Sequence, residues 1–145
     1  MSGLSGRIED GRHCFPLRVY YEDTDSGGIV YYANYLKFAE RARTEMLRLV
    51  GINQTEMAQR HDAVFAVRDC AIDYRRPARL DDVLEVRSRL VEIGAATLSA
   101  EQAIHRGDDE IARLDVRIAC LRRDGRPIRI PASVRSALSP YCETT

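Results

Sequence analysis

Along the chain the spacing of apolar residues changes once, from a helical rhythm to a strand rhythm. Between Ala33 and Val50 the apolar positions Tyr35, Phe38, Ala39, Ala42, Met46, Leu49 and Val50 step by three and four, the repeat of one buried helix face. Leu36 and Leu47 widen that stripe, Arg41–Glu45 and Glu45–Arg48 fall on the other face, and Gly51 supplies the stop. A short second helix is predicted around Thr55 to Arg60. From Val64 onward the period is two. Cys70, Ile72 and Tyr74 mark one strand face, Leu84, Val86 and Leu90 the next, then Leu98, Ala100 and Ile104, then Leu114, Val116, Ile118 and Cys120. The breaks fall at RRPARLDD, Ile93-Gly94, RGDDE and RRDGRP, all turn chemistry. Before the helix, Phe15 to Tyr21 reads as a first strand and EDTDSGG as a loop.

This order predicts an α+β fold, a curved antiparallel sheet wrapped around one long helix at about 33–50. One helix covers one sheet face, which leaves the other face or an edge for self-association. The length, 145 residues, suits a single domain. We expect that domain at 13–140, after a polar, Gly-rich segment, 1–12, expected to be flexible.

Charge narrows the partners. Twenty-two basic residues balance 22 acidic ones, without the positive excess of a general nucleic-acid binder. Arg117, Arg122, Arg123, Arg126, Arg129 and Arg135 nevertheless face one acid, Asp124, within a short stretch. That patch fits either a solvated strand face and turn or contact with a phosphate-bearing molecule or acidic protein. No run approaches the roughly 18 apolar residues of a membrane span, and MSGLSGRIEDGR lacks the apolar core of a secretory signal. A cytoplasmic chain is expected. Cys14, Cys70, Cys120 and Cys142 form no CxxC and are expected as reduced, mostly buried thiols. No His, Cys and Asp cluster has metal-ligand spacing, and the chain holds no P-loop and no GxGxxG, so neither a metal nor a cofactor is expected.

Reactive residue types concentrate in YYEDTDSGGIVYYANY, Tyr20 to Tyr35. It holds Glu22, Asp23, Asp25, the Gly27-Gly28 pair and tyrosines at the start of the buried helix. A glycine pair lets backbone approach another group closely. Free N–H groups near Tyr31 to Asn34, at the positive end of the helix dipole, favour a developing negative charge. A carboxylate just upstream then acts on a polarised carbonyl, as nucleophile or as general base toward water. The same residues also suit purely structural work: Asp, Thr and Ser as helix caps, the glycines as a turn, the tyrosines as core.

The pattern Y-x-E-D-T-D-x-x-G-x-V-Y-Y-x-N-Y-x-x-F-x-E-x-A-R resembles the motif of the 4-hydroxybenzoyl-CoA thioesterase branch of the hotdog-fold thioesterases. Together with RRPARLDDVLEV it is most similar, within that branch, to the bacterial acyl-CoA thioesterases associated with the Tol-Pal system. The resemblance runs from about Phe15 to beyond Cys120. It implies a hotdog fold, protomers joined sheet edge to sheet edge as a dimer or tetramer, and an active site at the dimer interface. It also implies Asp25 as catalytic acid and the Tyr32 backbone N–H as oxyanion donor. The Tol-Pal-type proteins often carry His where this chain has Tyr32, whereas the hydroxybenzoyl-CoA enzymes carry Tyr.

Around these two residues, Gly28, Tyr31 and Asn34 are candidates for substrate contact, with Asn34 bonding either within the loop or to Asp25. Arg75, Arg76, Arg79, Arg122 and Arg123 are candidates for the coenzyme A phosphates. Asp23, Glu22 and Thr24 are expected to shape the loop, and Glu40 and Arg43 to be helix-surface or interface charges. The expected activity is hydrolysis of an acyl-CoA. A dehydratase of the same fold needs a helix-borne histidine, and none lies between His13 and His61. The alternative is a weakly catalytic binding module for acyl carrier protein or a phospholipid-synthesis partner, its arginines meeting acidic surface.

Overall fold

A computed structural model describes residues 3–144. The strands are β1 (Arg7–Glu9), β2 (Arg12–Arg18), β3 (Val64–Tyr74), β4 (Val83–Ile93), β5 (Thr97–Arg106), β6 (Asp109–Leu121) and β7 (Cys142–Thr144). The α-helices are α1 (Asn34–Leu49), α2 (Gln54–His61) and α3 (Ala132–Leu138). The sheet order is β1-β2-β4-β5-β6-β3, antiparallel throughout, with β7 added in parallel beside β4. β4, β5 and β6 follow one another as a meander, whereas β2 and β3 lie on opposite sides of it. The chain between those two strands carries α1, so the helix is drawn across the sheet. Register shifts at Val67/Asp69, Leu90/Glu92 and Ile104/His105 add the local twist that curves a sheet.

Phe38, Ala39 and Ala42 are buried against Leu84, Val86, Ile104 and Leu114. A second cluster joins Met46 to Leu90, Leu98, Cys120 and Leu138. The predicted α+β architecture and its helix are both present. Leu36 and Leu49, assigned to the buried stripe, are exposed: one sheet covers a narrower arc of the helix than its apolar residues span. Glu45 pairs with Arg48 at 3.3 Å and accepts from Ser5 Oγ at 2.8 Å, in place of the expected Arg41 contact.

Two further expectations are corrected. The segment expected to be flexible forms β1 against β2, with Arg7 opposite Cys14; Met1 and Ser2 lie outside the described residues. One long-range and one nearer contact hold it there: Arg7 pairs with Glu85 at 3.2 Å, and His13 Nε2 lies 2.6 Å from the Ser5 carbonyl. Cys70, expected to be buried, is exposed, while Cys14 and Cys120 are buried. Cys70 belongs to β3, the edge strand, where Val67 and Tyr74 are also exposed. A long, apolar, unpaired edge invites pairing with another strand.

The sheet face away from α1 is a lattice of charge. Glu85–Arg87, Arg89–Glu101 and Arg113–Glu110 lie within 3.0 Å. No described helix is long and apolar enough to cross a membrane.

Candidate active site

Asp25 stands on a tight turn whose two sides are tied together. Thr24 bridges Val30, the Asp25 N–H donates to the Ile29 carbonyl at 2.9 Å, and the Gly28 N–H donates to the Asp25 carbonyl at 3.1 Å. Gly28 has φ +78°, a left-handed conformation that costs an L side chain about 1–2 kcal/mol. Gly27 donates its N–H to Asp25 Oδ1 at 2.8 Å, and a Cβ there would crowd that oxygen at 3.3 Å. The Asp25 side chain is exposed and, among the described residues, its Oδ2 has no hydrogen-bond partner.

Asp23 locks the turn from below. It is 8% exposed, and its carbonyl accepts from the Tyr31 N–H at 3.0 Å and from Asn34 Nδ2 at 2.9 Å. Its carboxylate accepts from the Tyr20 N–H at 2.8 Å, and Thr24 Oγ1 donates to the Tyr21 carbonyl at 2.8 Å. Two neighbouring acids thus have different roles. The buried one anchors the loop and the exposed one is presented to solvent. Asn34, expected to serve either the loop or Asp25, serves the loop.

The helix start is open. Ala33 occupies the N-cap position, and no side chain caps α1, so Asp, Thr and Ser upstream are not the caps their types suggest. The N–H groups of Asn34, Tyr35 and Leu36 turn back to the carbonyls of Tyr31, Tyr32 and Ala33 at 2.8, 3.3 and 3.2 Å. Among the described residues, the N–H groups of Tyr32 and Ala33 find no acceptor. They lie at the positive end of the helix dipole, ready for an oxygen that gains charge.

Aromatic side chains frame this end. The Tyr31 and Tyr32 rings are 4.9 Å apart, and Tyr74 meets Tyr32 edge-on at 6.0 Å. Tyr74 donates its hydroxyl to the Tyr32 carbonyl at 3.3 Å. Burial pushes the phenols of Tyr35 and Tyr74 above the ordinary tyrosine range, so both stay protonated at neutral pH. A cavity of about 250 Å³ opens beside them, lined by Ile29, Tyr32, Tyr35, Tyr74, Arg75 and Arg76 among others. Tyr74 escaped the sequence reading because its alternating pattern marks only a strand position. Its approach to Tyr32 spans 42 residues.

The candidate arginines separate into two groups. Arg75 pairs with Asp73 at 3.1 Å and Glu110 at 2.8 Å, and Arg76 lies 3.4 Å from Asp109, both beside the Tyr32 cavity. Arg79 bridges Ile29 through the backbone. Arg122 and Arg123 follow the end of β6, which pairs Leu121 with Val64, whereas Tyr74 pairs with Ala112. Ten strand residues at ~3.3 Å each separate these ends, so one chain does not gather both groups. Arg123 instead donates to the Ala58 carbonyl at 2.7 Å and pairs with Asp62 at 3.5 Å.

The family profile described as the thioesterase-like superfamily matches residues 19–138. The chain belongs to that superfamily. Among relatives, the acyl-CoA thioesterase YbgC of Haemophilus influenzae is 41% identical over 129 residues, covering 88% of this chain and 95% of its own. The acyl-CoA thioester hydrolase YbgC of Escherichia coli O6:H1 is 42% identical over 109 residues, with 74% and 80% covered. A probable thioesterase from Bartonella henselae has a solved structure that superimposes with a TM-score of 0.80 at 38% identity, covering 83% of this chain and 99% of that one. The hotdog fold and the thioesterase family expected from the Tyr20–Tyr35 motif are both borne out. In the thioesterase frame, the uncapped helix start and the exposed Asp25 turn form the candidate centre.

Proposed function

We propose that the chain hydrolyses acyl-CoA thioesters at the uncapped start of α1, with Asp25 as nucleophile or general base and the Tyr32 N–H as oxyanion donor. The observation that carries this reading is a backbone N–H, that of Tyr32, and a carboxylate oxygen, Asp25 Oδ2, that both lack a partner among the described residues and lie within one short segment before α1. The thioester carbonyl oxygen accepts from Tyr32. Asp25 then attacks the carbonyl carbon and expels the coenzyme A thiolate, leaving an anhydride that water hydrolyses. In the alternative route, Asp25 takes the proton of a water that attacks the same carbon. Both routes end in a free carboxylic acid and the thiol. Gly28 and Tyr31 border the acyl group, and Asn34 acts through Asp23 to hold the turn.

A second copy completes the site in this reading. Antiparallel pairing of two β3 edges places the start of one strand beside the end of the other. The partner subunit's Arg122 and Arg123 then approach Arg75 and Arg76, where the coenzyme A phosphates lie. Coenzyme A is favoured as carrier over a carrier protein because several arginines of the basic stretch are held by this chain, as Arg135 is by the Gly94 carbonyl at 2.6 Å. The reaction belongs in the cytoplasm, where thiols such as those of Cys14, Cys70 and Cys120 stay reduced.

The test is free-thiol release from a panel of acyl-CoAs of graded length and one aromatic member, wild type beside Asp25→Asn. Wild-type turnover that falls by about 10²–10⁴ in Asp25→Asn, with substrate still bound, is expected. Full activity in Asp25→Asn sinks the site, and no turnover by either protein turns the reading toward a binding module.

A further inference from the structure

Tyr74 reaches the start of α1 from the sheet. It is the last residue of β3, opposite Ala112 of β6. The chain just beyond it is pinned, since the N–H groups of Arg75 and Arg76 both donate to the Ile111 carbonyl, at 2.9 and 3.2 Å. The rings of Tyr35 and Tyr32 flank its own, with centroids 5.7 and 6.0 Å away. From this fixed place the Tyr74 hydroxyl donates to the Tyr32 carbonyl at 3.3 Å. Tyr74 is 43% exposed, and an exposed hydroxyl needs no protein acceptor because water serves it. Stability alone does not account for where this hydroxyl points.

The carbonyl it holds belongs to the peptide unit that carries the Ala33 N–H. That unit is planar, with its N–H directed opposite to its C=O, so a donor fixed on the oxygen side sets where the N–H aims. The Ala33 N–H is one of two at the helix start that find no acceptor among the described residues, the other being that of Tyr32. The Asn34 N–H closes on the Tyr31 carbonyl at 2.8 Å, and Ala33 has φ −66° and ψ −21°, so residues 31–34 make a type I turn. As in the first turn of a helix, the Tyr32 and Ala33 N–H groups then point outward side by side. The Tyr32 carbonyl accepts twice, from Tyr74 and from the Tyr35 N–H at 3.3 Å. Each bond draws charge toward the oxygen and makes the Ala33 N–H a stronger donor.

We infer that Tyr74 is a positioning residue: by holding the Tyr32 carbonyl, its hydroxyl aims and polarises the Ala33 N–H, which joins the Tyr32 N–H as a second donor to the thioester oxygen. The inference rests on the proposed activity and adds to it one donor and one residue that never touches the substrate. Its effect is greatest where the oxygen gains negative charge, in the transition state rather than in the bound ester.

The experiment follows steady-state thiol release from whichever of butanoyl-, decanoyl- and benzoyl-CoA the wild type turns over fastest. Tyr74→Phe, which removes only the hydroxyl, is expected to lower kcat about tenfold and leave KM within about twofold. Replacing Ala33 by lactate exchanges its N–H for an ester oxygen and is expected to lower kcat by about 10²–10³. Tyr74→Phe added to that ester chain is expected to cost nothing further. In Asp25→Asn, which holds intact substrate, adding Tyr74→Phe is expected to move the carbonyl stretch of a bound, isotope-labelled thioester to higher wavenumber, because its oxygen is less polarised. A hydroxyl with a purely structural role would lower Tm without moving that band. Unaltered kcat in Tyr74→Phe, an unmoved carbonyl band, or a loss that persists in full in the Ala33 ester overturns the inference. A rise in KM alone also overturns it and makes Tyr74 a substrate contact, as does a kcat loss that tracks dissociation of an oligomer in sedimentation velocity, which gives Tyr74 to a subunit contact. Should the Ala33 ester fail to fold, the kinetics and the carbonyl band of Tyr74→Phe decide. Wild-type turnover that Asp25→Asn abolishes and Tyr74→Phe leaves intact overturns the inference alone. Absence of wild-type turnover on all the acyl-CoAs overturns the proposed activity and the inference with it.

Discussion

Replacing Gln102 by Leu removes the polar tie between α1 and the middle of the sheet while nearly preserving shape. Gln102 has 0% exposure in β5. It accepts from Arg43 at 2.9 Å and donates to the Ala39 carbonyl and Ser88 Oγ at 2.9 Å each. Two neutral bonds contribute about 1 kcal/mol each and the charged one about 1.5–3 kcal/mol. Leucine's own burial returns about 1 kcal/mol, so the net loss is about 3 kcal/mol. At about 3 °C per kcal/mol for a chain of this size, Tm falls by about 10 °C. Thermal unfolding followed by circular dichroism at one fixed protein concentration measures it, since any self-association shifts Tm. Combining Gln102→Leu with Arg43→Met should cost less than the two separate losses added, because the first change already strands the guanidinium. A Tm drop under about 3 °C, or strict additivity, would refute the claim that Gln102 holds the half-buried Arg43.

Asn34→Ala takes one of two donors from the Asp23 carbonyl; stability should fall by about 1–2 kcal/mol, and kcat by about tenfold as the Asp25 turn loosens, with unaltered steady-state kinetics as the contrary result. Burial holds His13 and His105 below the ordinary histidine value, so below about pH 6.5 the unfolded chain binds protons that the folded one does not. Stability is therefore full above that pH and declines as pH falls toward the folded values; the urea midpoint should drop between about pH 7.5 and 5.5 and drop less in His13→Gln, and a flat midpoint speaks against it. Val67→Asp together with Cys70→Asp sets like charges on the exposed β3 edge; sedimentation velocity should show dimer converted to monomer, and an unaltered dimer would move the interface off β3.

The order of elements and the helix on which the site is built were legible along the chain because both depend on short-range geometry. A step of three and four turns residues to one helix side, and a step of two to one strand side, whatever lies across from them. Tyr20 to Tyr35 stood out equally as the candidate place for chemistry, since its turn, its acids and its helix start are neighbours in sequence. Local pattern does not say how wide an arc a partner surface covers, so it buried Leu36 and Leu49, which one sheet leaves exposed. Nor does it say which of Asp23 and Asp25 turns inward; that was settled by Tyr31 and Asn34 reaching back to the Asp23 carbonyl. The partition of Arg75 and Arg76 from Arg122 and Arg123 follows from the register of β3 on β6. Arg43 meets Gln102 across 59 residues, and that contact exists only once helix and sheet have closed on each other. The repeating pattern determined what each segment becomes. Tertiary packing decided which backbone N–H groups and which charges were left without a partner, because pairing across long loops depends on how whole elements meet.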